Sequence, residues 1–161
     1  MNMLTLGAAG IAVRSVAPHL VSKARDPAVV VVDELGRFAV PILSGHLGGA
    51  NDLAREIAGL LGGQAVLTTA TDARGIFAFD QWARRLGCAI PDPEKIRPVA
   101  SRMLAGGTAA FWSQWPVAGE CPSGVVPAGQ EAAQVQLTIR DTPEPALKLV
   151  PRIVWAGIGC R

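Results

Sequence analysis

Residues 38 to 61 place a strand, a glycine turn and a helix in direct succession. An apolar run, Phe38 to Leu43, leads into Ser44-Gly45-His46-Leu47-Gly48-Gly49-Ala50-Asn51. Leu53, Ile57, Leu60 and Leu61 then recur at helical spacing. The three glycines allow positive φ and close approach of backbone to a ligand. Asn51 is read as the N-cap, and Asp52 suits the positive end of the helix dipole. Free N–H groups at such a turn make an anion site. His46, one of two histidines in the chain, sits in its middle.

Half of the residues are hydrophobic and 17% are charged, a balance of a folded chain rather than a disordered one. The 161 residues suit one ordinary domain or two small ones. A net charge of +2 without a basic run, few aromatics and no Tyr argue against nucleic acid as a partner. No apolar stretch approaches the roughly 20 residues of a membrane helix, and the first ten residues lack the basic start of a signal peptide. Cys88, Cys121 and Cys160 form no C-x-x-C pair. With His19 and His46 as the only imidazoles, a tetrahedral zinc site is not expected. Free thiols in a reducing cytoplasm are.

Before the central turn, Met3 to Leu6 reads as a strand entering Gly7-Ala8-Ala9-Gly10. A helix follows with Ile11, Val13, Val16 and Leu20 apolar, ending near Pro18. Arg14 lies on its first turns, on a solvated face or beside a carboxylate ligand. Ala28 to Val32 is a β-branched run suited to burial on both faces. Its short connection to Phe38–Leu43 predicts an antiparallel hairpin, with Pro41 marking an edge or bulge.

After Gly62-Gly63 as a C-cap, Ala65 to Thr69 reads as a strand entering the loop Ala70-Thr71-Asp72-Ala73-Arg74-Gly75. If the strands at Phe38 and Ala65 are parallel neighbours, the His46 and Thr71-Asp72 loops lie side by side. Asp72 can be the N-cap of a helix carrying Ala78, Trp82 and Leu86, a site residue, or both. Further on, Pro93 to Ala105 predicts a helix, Thr108 to Trp112 a strand, and Trp112 to Pro127 irregular chain with its tryptophans as packing. Gln134 to Arg140 alternates as a half-buried strand. Ala146–Val150 and Ile153–Ile158 are apolar again. The expected class is α/β: a layered α/β/α domain over residues 1–90, a smaller α/β domain over 91–150, and at 151–161 the opening strand of a further domain. An unpaired sheet edge suggests a second copy of the chain as partner.

Several segments in this order resemble one family. Asp26-Pro27-Ala28-Val29-Val30, Asp33-Glu34-Leu35-Gly36, the Ser44–Asn51 octapeptide and Thr68-Thr69-Ala70-Thr71-Asp72 are similar to the CbiG family, the cobalt-precorrin-5A hydrolases of anaerobic cobalamin biosynthesis. Gly10-Ile11-Ala12-Val13-Arg14 and Ala17-Pro18-His19 look like its early segment. The likeness runs from Gly7 to Gly87 and is looser, to the middle domain, beyond Pro91. Family chains also carry a further N-terminal strand and helix and a complete C-terminal domain, so the resemblance leaves open whether this stretch acts alone.

The resemblance implies opening of the δ-lactone of cobalt-precorrin-5A with release of acetaldehyde, giving cobalt-precorrin-5B. No cofactor is expected, since the cobalt belongs to the substrate. The implied partners are the tetrapyrrole and other enzymes of the pathway. A lactone carbonyl needs an activated water and donors for its oxyanion, and many acetates and propionates need cations and anion-binding turns. His46 is assigned as general base, or else as a residue bonded within its own loop. The N–H groups of Gly48 and Gly49 would hold the oxyanion or a carboxylate. Gly45 and Thr69 line the same turns; Ser44, Asn51, Thr71 and Asp72 would orient water, histidine or substrate; Arg14 would pair with a carboxylate. His19 is read as structural.

Two other readings use the same residues. The turn can hold a tetrapyrrole without catalysis, as part of a larger enzyme. A dinucleotide site is the weakest reading, because the glycine order is G-x-x-G-G rather than G-x-G-x-x-G.

Overall fold

A computed structural model describes residues 2–22, 25–142 and 145–152. The chain divides into two compact units, Met1–Gln81 and Trp82–Arg161. The α/β class expected from the sequence is observed.

In the first unit, β1 (Asn2–Leu6), α1 (Ala9–Val16), a 3-10 turn at Ala17–His19, β2 (Ala28–Val32), β3 (Phe38–Leu43), α2 (Ala50–Leu61), β4 (Gln64–Ala65) and the short helix α3 (Ala70–Ala73) follow in order. The sheet order is β1-β2-β3-β4. β1 is parallel to β2, β2 antiparallel to β3, and β3 parallel to β4. All five residues of β2 are buried, as its β-branched run predicts, and each such valine contributes roughly 1.5–3 kcal/mol. Ala28, Val30 and Val32 pack with Ala39 against Ala50, Ala54 and Ala58 of α2. Those alanines let the helix lie close to the sheet.

The β2–β3 turn is closed by Asp33, whose carboxylate accepts the Phe38 N–H at 2.7 Å and pairs with Arg37 at 3.1 Å. Gly36 takes φ +69° there. The predicted irregularity at Pro41 is present. Val29 and Val30 pair with Leu43 and Pro41, leaving Ile42 as the extra residue of a bulge.

Three local expectations are corrected. α2 begins at Ala50 behind Gly49, which is left-handed at φ +83°, so Asn51 is inside the helix rather than capping it. β4 spans two residues rather than the five from Ala65 to Thr69. Thr69 instead precedes α3, and Asp72 lies within that helix, not at the N-cap of the next. The hydroxyl of Thr69 bonds to Asp72, a local side-chain bond of the kind that competes with strand pairing.

Helix α4 (Phe79–Arg85) begins in the first unit and ends in the second. The second unit then has a 3-10 turn at Pro93–Lys95, α5 (Ile96–Leu104), β5 (Ala109–Ser113), β6 (Val125–Pro127), β7 (Val135–Leu137) and β8 (Leu147–Leu149). Its sheet is parallel throughout, in the order β6-β5-β7-β8. Pro98 is the third residue of α5, where its missing N–H costs nothing. β6 forms in the stretch read as irregular. β7 is buried on both faces rather than half-buried, because the amide of Gln136 donates to Gln130 O at 2.6 Å and Thr138 Oγ1 to Gln114 Oε1 at 2.7 Å. Cys88 and Cys121 are free thiols. Cys160 and the apolar run Ile153–Ile158 lie outside the described residues. No helix among the described residues is long and apolar enough to cross a membrane.

Candidate functional site

The first unit gathers a charged cluster at the C-terminal end of β3. Because β3 and β4 are parallel, the loops that follow them emerge on the same side. The first delivers His46, and the second delivers Thr69, Thr71 and Asp72. His46 Nε2 lies 2.8 Å from Asp72 Oδ2, and Nδ1 lies 3.2 Å from Oδ2 of Asp80 at the start of α4. One imidazole thus stands between two carboxylates. Thr71 Oγ1 is 3.2 Å from the same Nε2.

Asp72 is held from several sides. Asn51 Nδ2 and Thr69 Oγ1 donate to Oδ2 at 2.8 and 2.6 Å, and Asn51 also donates to Thr69 Oγ1 at 3.0 Å. Arg55, one helical turn beyond Asn51, bonds Asp72 Oδ1 through Nη2 and Asp52 through Nη1 at 3.0 Å. Gln81 Nε2 reaches the same Asp52 oxygen at 3.3 Å.

These partners set the protonation states. Burial pushes Asp72 up, but bonds from Thr69, His46 and Arg55 outweigh it and hold the carboxyl at about 2. The Asp80 hydrogen bond, above all, raises His46 from its ordinary value. Burial opposes it, and the Asp80 charge and Asp72 add to it. When protonated, the imidazole can donate from both nitrogens to the two carboxylates.

A pH optimum for stability follows. Asp72 is depressed on folding, so its contribution, roughly 1–2 kcal/mol, is present above about pH 4 and lost as pH falls toward 2. His46 is raised, so its contribution is full below about pH 6.5 and lost as pH rises through the folded value. Thermal melts across pH should show the highest Tm between about pH 4 and 6.5. Asp80→Asn should flatten the alkaline decline. A Tm that climbs steadily through neutral pH in both proteins contradicts this pairing.

The glycines of the turn have structural reasons. A Cβ on Gly45 would stand 2.8 Å from Asn51 Oδ1, and one on Gly48 2.4 Å from Ser44 Cβ. The Gly49 N–H donates to His46 O at 3.0 Å, so it is engaged inside the loop. The Gly48 N–H has no hydrogen-bond partner among the described residues. Ser44, at φ +54°, donates its hydroxyl to Asp26 O at 2.8 Å. That bond fastens the turn to the start of β2.

The structure therefore brings together His46, Asn51, Thr69, Thr71 and Asp72, with Gly45, Gly48, Gly49 and Ser44 shaping the turn. It does not bring in Arg14, which is exposed on α1. β1 is parallel to β2 and antiparallel to β3, so the turn after β1 opens at the opposite end of the sheet. His19 is likewise exposed, on the 3-10 turn. Sequence reasoning missed Asp80 and Arg55. Helical spacing of Asn51 and Arg55 was the available signal for the latter.

Comparison with known proteins shows what the chain is similar to. Residues 1–72 match the family model described as cobalamin synthesis G N-terminal. The cobalt-precorrin-5A hydrolase of Salmonella typhimurium is 38% identical over 174 positions, covering 99% of this chain and 50% of the relative. That of Priestia megaterium is 41% identical over 95 positions, covering 59% of this chain and 25% of the relative. The chain thus spans half, or less, of the length of these curated relatives. The crystal structure of a cobalamin biosynthesis protein G homolog from Sulfolobus solfataricus has the same fold, with a TM-score of 0.54 at 24% identity over 93% of this chain and 45% of that one. His46 and Asp72 both fall within the matched N-terminal region, and that region, residues 1–72, belongs to the CbiG family.

Proposed function

We propose that this chain acts in cobalamin biosynthesis as the N-terminal part of a cytoplasmic cobalt-precorrin-5A hydrolase, opening the δ-lactone of the cobalt-bearing tetrapyrrole and releasing acetaldehyde. The carrying observation is the Asp72–His46–Asp80 arrangement in a chain whose relatives bear that name.

The general-base role expected of His46 changes in this setting. Both its nitrogens face carboxylates, so it has no free lone pair for a water, and it suits the part of proton donor. Asp72 is the acceptor. A water proton passes to Asp72 as the oxygen bonds to the lactone carbonyl carbon, and the carbonyl electron pair moves onto its oxygen. The Gly48 N–H, unused by the loop, is the donor for that oxyanion. Collapse breaks the ring C–O bond, and the leaving alkoxide takes the proton of the Thr71 hydroxyl, which in turn takes one from the His46 imidazolium 3.2 Å away. Release of the Asp72 proton to solvent and uptake of one by His46 restore both groups. Loss of acetaldehyde then requires the new hydroxyl to give up its proton as the C–C bond breaks and the carbon left behind to gain one.

The test is incubation of the purified chain with cobalt-precorrin-5A, following acetaldehyde release and binding by absorbance in the same samples. Acetaldehyde above background supports hydrolysis by this chain. Binding alone makes it a tetrapyrrole-holding part of a larger enzyme. Absence of both signals overturns the assignment.

A further inference from the structure

Asp72 is presented unevenly. Its Oδ2 receives Asn51, Thr69 and His46, all from the interior of the cluster, whereas Oδ1 is held by Arg55. The side chains of His46, Asp72 and Asp80 are 13%, 10% and 5% exposed, and that of Arg55 is 41% exposed. Its guanidinium is divided between Asp72 and Asp52. The group covering the one carboxylate oxygen free of interior donors is therefore the most accessible of the four. Guanidinium binds any carboxylate in the same forked geometry.

We propose that Arg55 is a substrate-operated latch: a carboxylate of the tetrapyrrole draws the guanidinium from Asp72, and the uncovered Oδ1 accepts the proton of the attacking water. The inference rests on the function proposed above and adds a binding residue that also controls the acceptor. Three charged groups face Asp72 or its partners, namely His46 and Arg55 directly and Asp80 across the imidazole, with Asp52 competing for Arg55. With Arg55 withdrawn, His46 alone supplies positive charge to Asp72, and the carboxylate becomes more basic.

The experiment compares wild type, Arg55→Gln and Arg55→Lys, with uroporphyrin III as a probe rich in acetates and propionates and cobalt-precorrin-5A as substrate. Carbon-13 NMR of the Asp72 carboxyl follows its titration. In wild type the probe should raise the Asp72 pKa. In Arg55→Gln it should be raised already, insensitive to the probe, and binding should weaken roughly 10- to 100-fold. Arg55→Lys should keep part of the affinity. During turnover, the acid limb of kcat/KM should move up in Arg55→Gln while that of kcat stays, since the first reports free enzyme and the second the complex. Wild type that turns over substrate, with Asp72 and Arg55→Gln binding unresponsive, overturns the latch and leaves the function standing. Wild type that neither binds nor reacts overturns both.

Discussion

Exchanging His46 for Gln is expected to cut acetaldehyde release by a factor on the order of 10²–10⁴, the range for loss of a positioned acid–base group. Glutamine can still donate one hydrogen bond, so substrate affinity should change far less than turnover. The exchange also removes the cation between Asp72 and Asp80. Two carboxylates then share one confined site, and the variant should be less stable near neutrality and regain stability in mild acid. Adding Asp80→Asn should restore much of the stability and none of the rate. Full turnover in the single variant would remove His46 from the mechanism.

Gly48→Ala should be the most damaging small substitution in the turn, lowering stability by about 2–3 kcal/mol. The new Cβ would meet Ser44 Cβ at 2.4 Å and Ser44 O at 2.8 Å. Ser44 cannot yield easily, since it is already left-handed and bonded to Asp26 O. Gly59, exposed in the last turn of α2, has nothing within 4 Å of the corresponding position. Gly59→Ala should raise stability by about 0.5–1 kcal/mol through helix propensity. Urea denaturation of the two variants measures the contrast. Equal midpoints would mean that the turn is slack.

Local signals carried most of the first unit. The valine run of β2, the apolar run of β3 and the leucine spacing of α2 each encode their element within a dozen residues. β2 and β3 occupy the ranges expected. The meeting of the His46 and Asp72 loops was legible too, since it follows from two parallel neighbouring strands. Asp80 was not, because its link to His46 spans 34 residues and its surroundings read as an ordinary amphipathic helix. Arg55 was missed because its carboxylate partner lies 17 residues on, and its helical spacing from Asn51 is the one local sign of it. Asn51 reads as a helix cap, where its residue type is most at home, and Asp72 as a cap, a site residue or both; the two are drawn into one shared hydrogen-bond network.

The antiparallel hairpin has a metric consequence. Two glycine turns that look alike in sequence, Gly7–Gly10 and Gly45–Gly49, are separated by the length of the strands between them, about 20 Å for six residues. No single acetate or propionate can be held by both turns at once. A group bound at Gly7–Gly10 meets the sheet at its other pole.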